Sequence, residues 1–153
     1  MKDKMIQAHM ITAYVYGACS TAEKLNVGCI LVKDNRIISI GYNGMPSGWT
    51  NVCEDIIDGE MKSKPEVLHA ESNAICKLAK SNESGLGSIA FITHAPCLSC
   101  AKLLFQSGII AVYYDREYRS TDGLTFLEMS NIPTYGPNIL EITEEDRGYY
   151  QDR

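Results

Sequence analysis

His69-Ala70-Glu71, followed downstream by Pro96-Cys97-Leu98-Ser99-Cys100, is the stretch from which the rest of the chain is read. One imidazole and two thiols supply three ligands for a tetrahedral zinc ion and leave a fourth position for water. That is the arrangement of a catalytic site, not of a closed structural one. Glu71 is the only acidic residue within the two motifs and stands where a proton carrier for that water is needed. A lone Cys-x-x-Cys is also the spacing of a redox pair, and a lone histidine is more often a satisfied polar residue than a ligand. Against this, Pro96 precedes the first cysteine, Glu71 follows the histidine by two, and 28 positions separate His69 from Cys97. A structural zinc would also want a fourth protein ligand, and neither His9 nor His94 is placed for that role.

The spacing predicts helices around the motifs. Cys97 and Cys100, at i and i+3, share one face of a helix that Pro96 opens as its first-turn proline and that runs to Ser107, with Gly108 ending it. The N-terminal dipole of that helix favours thiolate, the form that binds metal. Pro65-Glu66 predicts the start of another helix, reaching Asn82, with His69 and Glu71 in its looser first turn. Both N-termini must then converge on one ion. Working outward, a helix is expected from Lys4 to Ala18. Strands are expected over Val27 to Lys33 and Arg36 to Tyr42, joined as a hairpin through Asp34-Asn35. Gly44 to Lys64 reads as a long, turn-rich connection of the kind that usually carries function. Strands over Ser88 to Thr93 and Ile109 to Tyr114, a short helix over Leu124 to Ser130 and an edge strand over Ile132 to Tyr135 complete the α/β alternation. It implies a mixed sheet with helices on both faces.

Composition sets the limits. A chain of 153 residues is one domain with a proper core. Of its six cysteines two are committed to metal, and Cys19, Cys29, Cys53 and Cys76 lack staple-like spacing, so a reducing cytoplasm is expected. No secretory leader opens the chain and no apolar run reaches the length of a membrane span. The net charge is −5 with scattered Lys and Arg, which argues against gripping a polynucleotide and for a small nucleotide. The acidic tail from about residue 137, above all Glu141 to Arg153, is expected either to be poorly ordered or to cross to another subunit.

The H-x-E…P-C-x-x-C pattern is the known signature of zinc nucleobase deaminases. The chain resembles the cytidine deaminase superfamily and, within it, the deoxycytidylate (dCMP) deaminases. The narrower resemblance rests on Gly41-Tyr42-Asn43-Gly44-Met45-Pro46-Ser47-Gly48, on Cys100-Ala101-Lys102 and on the block from Ser107 to Tyr114. It covers roughly Val15 to Pro133. It implies a three-layer αβα sandwich with a five-stranded mixed sheet, and hydrolysis of dCMP to dUMP and ammonia. Zinc lowers the pKa of bound water from about 15.7 to about 7, making hydroxide available at neutral pH. Glu71 in turn shuttles protons to ring N3 and to the leaving amine. By the same resemblance the N–H of Ala70 and the carbonyl of Ala95 grip the base, Asn43 contacts the sugar 3′-hydroxyl, and Tyr118 binds substrate.

The loop from Ser20 to Asn26 matches the segment that approaches the substrate phosphate. Where many relatives carry Arg, Lys or Gln before Val-Gly this chain has Asn26, so Ser20, Asn26, Lys24 and Arg119 are only candidates for that clamp. Some members hold a second zinc. Here Cys19 and Cys53 are present, but Val67 occupies the carboxylate position, and no second zinc is expected. The run Gly41, Tyr42, Asn43, Gly44 matches a loop that takes part in binding regulatory nucleotides. The resemblance therefore implies activation by dCTP, accompanied by Mg²⁺, inhibition by dTTP, and a homohexamer. On residue physics alone that run reads equally well as an ordinary tight turn. The rivals are a deaminase of a free nucleoside, of dCTP or of RNA, and a non-catalytic zinc-stabilised nucleotide-binding module.

Overall fold

In the computed structural model, residues 1–141 and 143–151 are described, the last for its backbone alone. The chain begins with α1 (Asp3–Gly17), then a hairpin of β1 (Gly28–Lys33) and β2 (Arg36–Tyr42). A small separate hairpin follows, β3 (Glu54–Ile57) and β4 (Glu60–Ser63). The alternation α2 (Ala70–Ala79), β5 (Ile89–His94), α3 (Leu98–Gln106), β6 (Ala111–Arg116), α4 (Asp122–Met129), β7 (Thr134–Tyr135) and α5 (Glu144–Gln151) completes it. Five strands form one mixed sheet in the order β2-β1-β5-β6-β7. Pairings β1–β2 and β1–β5 are antiparallel, and β5–β6 and β6–β7 are parallel. The expected three-layer αβα sandwich is what forms.

The sheet is covered on both faces, which is why β1 reads as an unbroken apolar run, Cys29 to Val32. Its side chains alternate. Cys29 and Leu31 pack with Ala70, Ala74 and Leu78 of α2, Ala101 and Leu104 of α3, and Leu127 of α4. Ile30 and Val32 pack with Met10, Ala13 and Tyr14 of α1, and with Leu140. Gly41 of β2 has to be glycine for packing: a Cβ there would lie 2.2 Å from Ala70 O and 2.6 Å from Ala74 N, so α2 rests directly on the strand.

Several expected boundaries move. Pro65 to Leu68 are not helical; Leu68 instead exchanges backbone hydrogen bonds with Gly44, and α2 begins only after His69. Likewise Pro96 precedes α3, whose N-cap is Cys97. The Gly44–Lys64 connection contains β3 and β4, joined at Asp58-Gly59 with φ of 53° and 77°. Two left-handed residues in succession define the turn that suits a tight hairpin.

The acidic tail is neither loose nor extended away. Asp115, at the end of β6 and fully buried, accepts from Tyr14 Oη at 2.5 Å, Leu140 N at 3.0 Å and Arg147 Nε at 2.8 Å. Arg147 also reaches Leu140 O at 2.9 Å, so α5 is fastened back onto its own chain beside α1. The remaining tail positions 142, 152 and 153 lie outside the described residues. Burial alone would raise the Asp115 carboxyl. Hydrogen bonds from Arg147, Leu140 N–H and Tyr14 outweigh that and hold it below the usual range. Its stabilisation is therefore complete above the unfolded carboxyl's pKa of about 3.9 and is lost as pH falls through the folded value. Arg147→Ala leaves this carboxylate buried and unpaired, so urea unfolding at pH 7 should show a loss of about 3–5 kcal/mol. A loss below about 1 kcal/mol, the range of an exposed pair, would show that the tail is not held this way.

Candidate metal centre and active site

Two helix N-termini meet, as the spacing predicts. His69 caps α2 and Cys97 caps α3, both with extended backbone, and Cys100 lies in the first turn of α3. His69 Nδ1 stands 3.5 Å from Cys97 Sγ and 3.3 Å from Cys100 Sγ, and the three donor atoms all lie within 4.8 Å of one another. A tetrahedral ion with N and S bonds of about 2.0 and 2.3 Å would hold N and S roughly 3.5 Å apart. The residues therefore fit zinc. Electrostatics argue the same way. Burial, then the Glu71 carboxylate and Cys97, push the Cys100 thiol far up, so without a cation it could not ionise. A coordinated zinc ion reverses this logic and takes the thiolate outright. Among the described residues no other cluster of three such donors occurs.

Glu71 lies in the first turn of α2, 4 % exposed, with its carboxyl in contact with the Cys100 thiol. Burial pushes this carboxyl up, and a hydrogen bond from its own backbone N–H, Cys100 and His69 pull it back part of the way. A carboxyl poised upward beside a metal site can both take and give a proton.

A cavity of about 590 Å³ opens over these groups. That is an ordinary size for a small-ligand site. His69, Ala70, Glu71, Ala95 and Cys97 line it, together with Asn43 and Tyr118. Ala70 is the first residue of α2, so its N–H has no acceptor within the helix. Lys24, Lys64 and Arg119 bring positive charge to the same space, with Glu54 and Glu117 among them.

Two expected contacts are not brought in. Ser20 Oγ donates to Asn43 O at 2.6 Å, and Asn26 Nδ2 donates to Ala22 O at 2.8 Å. Neither residue lines the cavity; both fold the 20–26 loop onto itself and onto β2. Asn43 does line it, while also serving that loop: Oδ1 accepts from Val27 N at 2.9 Å and Nδ2 donates to Leu25 O at 2.7 Å. The amide keeps one donor hydrogen and one lone pair for a ligand. Around Cys53, Glu54 Oε1 accepts from Glu23 N at 2.8 Å, and Thr21 Oγ1 lies 3.5 Å from Cys53 Sγ. His94, Glu117 and Lys64 also line the cavity, although no motif in the sequence marks them. His94, three residues before Cys97, has its nearness to the ligand motif as its one sequence signal.

Comparison with known proteins agrees with this geometry. Residues 3–116 match the family described as cytidine and deoxycytidylate deaminase zinc-binding region. The dCMP deaminase of cyanophage S-TIM5, solved in complex with dCMP and dUMP, is 44 % identical, with a TM-score of 0.83 over 88 % of this chain and 97 % of that one. ComE operon protein 2 of Bacillus subtilis is 33 % identical over 117 residues, 74 % of this chain and 60 % of that protein. The deoxycytidylate deaminase of Saccharomyces cerevisiae is 34 % identical over 106 residues, of which this chain covers 34 % of the length.

Proposed function

Because the chain belongs to the cytidine and deoxycytidylate deaminase family, we propose that it hydrolyses dCMP to dUMP and ammonia at the His69–Cys97–Cys100 centre. The observation that carries this reading is the buried Glu71 carboxyl beside three zinc-competent donors at a nucleotide-sized cavity. A non-catalytic module has no use for that carboxyl.

Zinc, when bound, supplies a water acidified to near neutrality. The chain's own groups do the remainder. Glu71 takes a proton from the attacking water and passes it to ring N3 as oxygen adds at C4. It then carries the second proton to the exocyclic amine, which leaves as ammonia. Ala70 N–H and Ala95 O hold the base edge, Asn43 the 3′-hydroxyl, and Tyr118 the sugar side. Of the four candidates for the phosphate clamp, Arg119 and Lys24 are the two we assign, since they reach the cavity. We read residues 1–153 as one deaminase domain, supported by the docked tail. The thiolate ligands require reduced cysteines, which a reducing cytoplasm maintains.

Regulation belongs to the same reading. Gly41 rests on α2, Gly44 bridges to Leu68 beside His69, and Asn43 holds the 20–26 loop. One loop thus touches two walls of the site, which is what a shared two-state element requires. We place dCTP with Mg²⁺ as activator and dTTP as inhibitor there, in a homohexamer. Ammonia release from dCMP, CMP, deoxycytidine, dCTP and an adenosine-containing RNA tests the substrate. dCMP should be preferred, and its saturation curve should be sigmoidal, becoming hyperbolic with dCTP and Mg²⁺. Turnover of deoxycytidine or RNA in preference to dCMP would overturn the substrate; curves unmoved by either triphosphate would overturn the regulation.

A further inference from the structure

His94 is held at one ring nitrogen and open at the other. It is the last residue of β5, in register with Arg116 of β6. It lines both the active-site cavity and a second, more open hollow of about 520 Å³ lined also by Asp115, Arg116 and Asn138. Nδ1 lies 2.8 Å from Thr93 Oγ1. Thr93 is fully buried, and its hydroxyl oxygen accepts from Gly28 N–H at 3.1 Å. A buried hydroxyl proton needs an acceptor. Gly28 N–H is a donor, so the remaining neighbour, His94 Nδ1, must accept. In a neutral imidazole the proton then sits on Nε2. The ring is neutral at physiological pH, because burial and the nearby Arg116 guanidinium hold it down at about 4. Among the described residues no acceptor takes up Nε2–H, and the atom is not sealed away: the one buried, partnerless side-chain nitrogen is His9 Nε2.

We propose that His94 is a specificity-determining residue, a fixed neutral Nε2–H donor to an acceptor oxygen of the pyrimidine nucleotide in the cavity. The proposal rests on the deaminase reading above. Thr93 does the positioning: it fixes the tautomer and removes the ring's lone pair from competition, so the imidazole meets its ligand only as a donor. Such a group orients a carbonyl or phosphate oxygen without adding charge, which complements the cations Lys24 and Arg119. A site built around a donor also penalises ligands that leave it unpaired.

The test uses the zinc-loaded full chain and His94→Leu, His94→Gln and His94→Asn, with equal zinc content verified. An amide nitrogen of Gln falls near the position of Nε2, whereas Asn reaches only as far as Nδ1. Leu and Asn should each weaken dUMP binding and raise KM for dCMP by about tenfold or more, with kcat much less affected, and Gln should restore most of both. A loss confined to dCMP, with deoxycytidine spared, identifies a phosphate oxygen as the acceptor. An equal loss on both identifies a base or sugar oxygen. The proposal is overturned if Leu binds dUMP like wild type, if Asn and Gln behave alike, or if imidazole ¹⁵N shifts show the proton on Nδ1. A wild type that neither deaminates dCMP nor binds dUMP overturns the deaminase reading and this proposal with it. An active wild type with indifferent variants overturns this proposal alone.

Discussion

Glu71→Gln is expected to lower turnover on dCMP by at least about a hundredfold while leaving fold and zinc content intact. The substitution is nearly isosteric, so the packing of a residue only 4 % exposed is preserved. An amide also removes the cost of a buried charge, so unfolding stability should hold or rise. Gln cannot accept a proton from water, and neither imidazole beside the site is free to replace Glu71. The lone pair of His94 Nδ1 is engaged by Thr93 at 2.8 Å. His69 Nδ1 faces the two cysteine sulfurs, at 3.5 and 3.3 Å. The expected signature is a fall in kcat with KM for dCMP changed far less. Near-normal turnover in this variant, with zinc present, would remove Glu71 from the acid–base role.

What could be read in the sequence follows from how local each signal is. The ligand set was legible because metal chemistry limits both residue types and spacing, and the sandwich because β1, β5 and β6 are apolar runs alternating with helices. Helix starts were misplaced by a few residues. Pro65 and Pro96 look like first-turn prolines, yet Leu68 is drawn into a bridge with Gly44, and Cys97 turns its own sulfur onto Cys100 N. Both competing interactions come from geometry that only the assembled site supplies. The β3–β4 hairpin had its Asp58-Gly59 turn in plain view. Its strands lie mostly exposed and lack alternation, so periodicity gave no support. The docking of the tail is hidden for another reason. Its composition is acidic, but a buried pair between Arg147 and Asp115, 32 positions apart, ties it back, beside the hydrogen bonds of Gln7 with Ile139 O and Glu141 N. No local pattern announces a long-range pair of that kind. The phosphate-facing groups were the least legible, since loop side chains such as Ser20 and Asn26 can turn either to a ligand or to nearby backbone, and here they take the backbone.

Cys97→Ala should abolish both zinc binding and deamination, and the comparison with Cys97→Ser separates the two jobs this residue performs. Cys97 is a metal donor and also the N-cap of α3, accepting from Cys100 N–H at 3.5 Å. Alanine removes both roles. Losing the cap costs about 1 kcal/mol, and losing the sulfur leaves a two-ligand set in which Cys100 has no partner thiolate and its burial disfavours ionisation. Serine is among the best N-cap residues, but its hydroxyl is not the soft thiolate that competes for zinc. The serine variant should therefore keep α3 and the fold, with little change in far-ultraviolet circular dichroism, yet retain little zinc after dialysis and release no measurable ammonia from dCMP. If Cys97→Ser retained zinc at one per chain, water or another side chain would be completing the site. Full zinc in Cys97→Ala would overturn the ligand assignment altogether. Zinc lost with activity kept would separate the metal from the chemistry, and the role given to Glu71 would then have to stand without it.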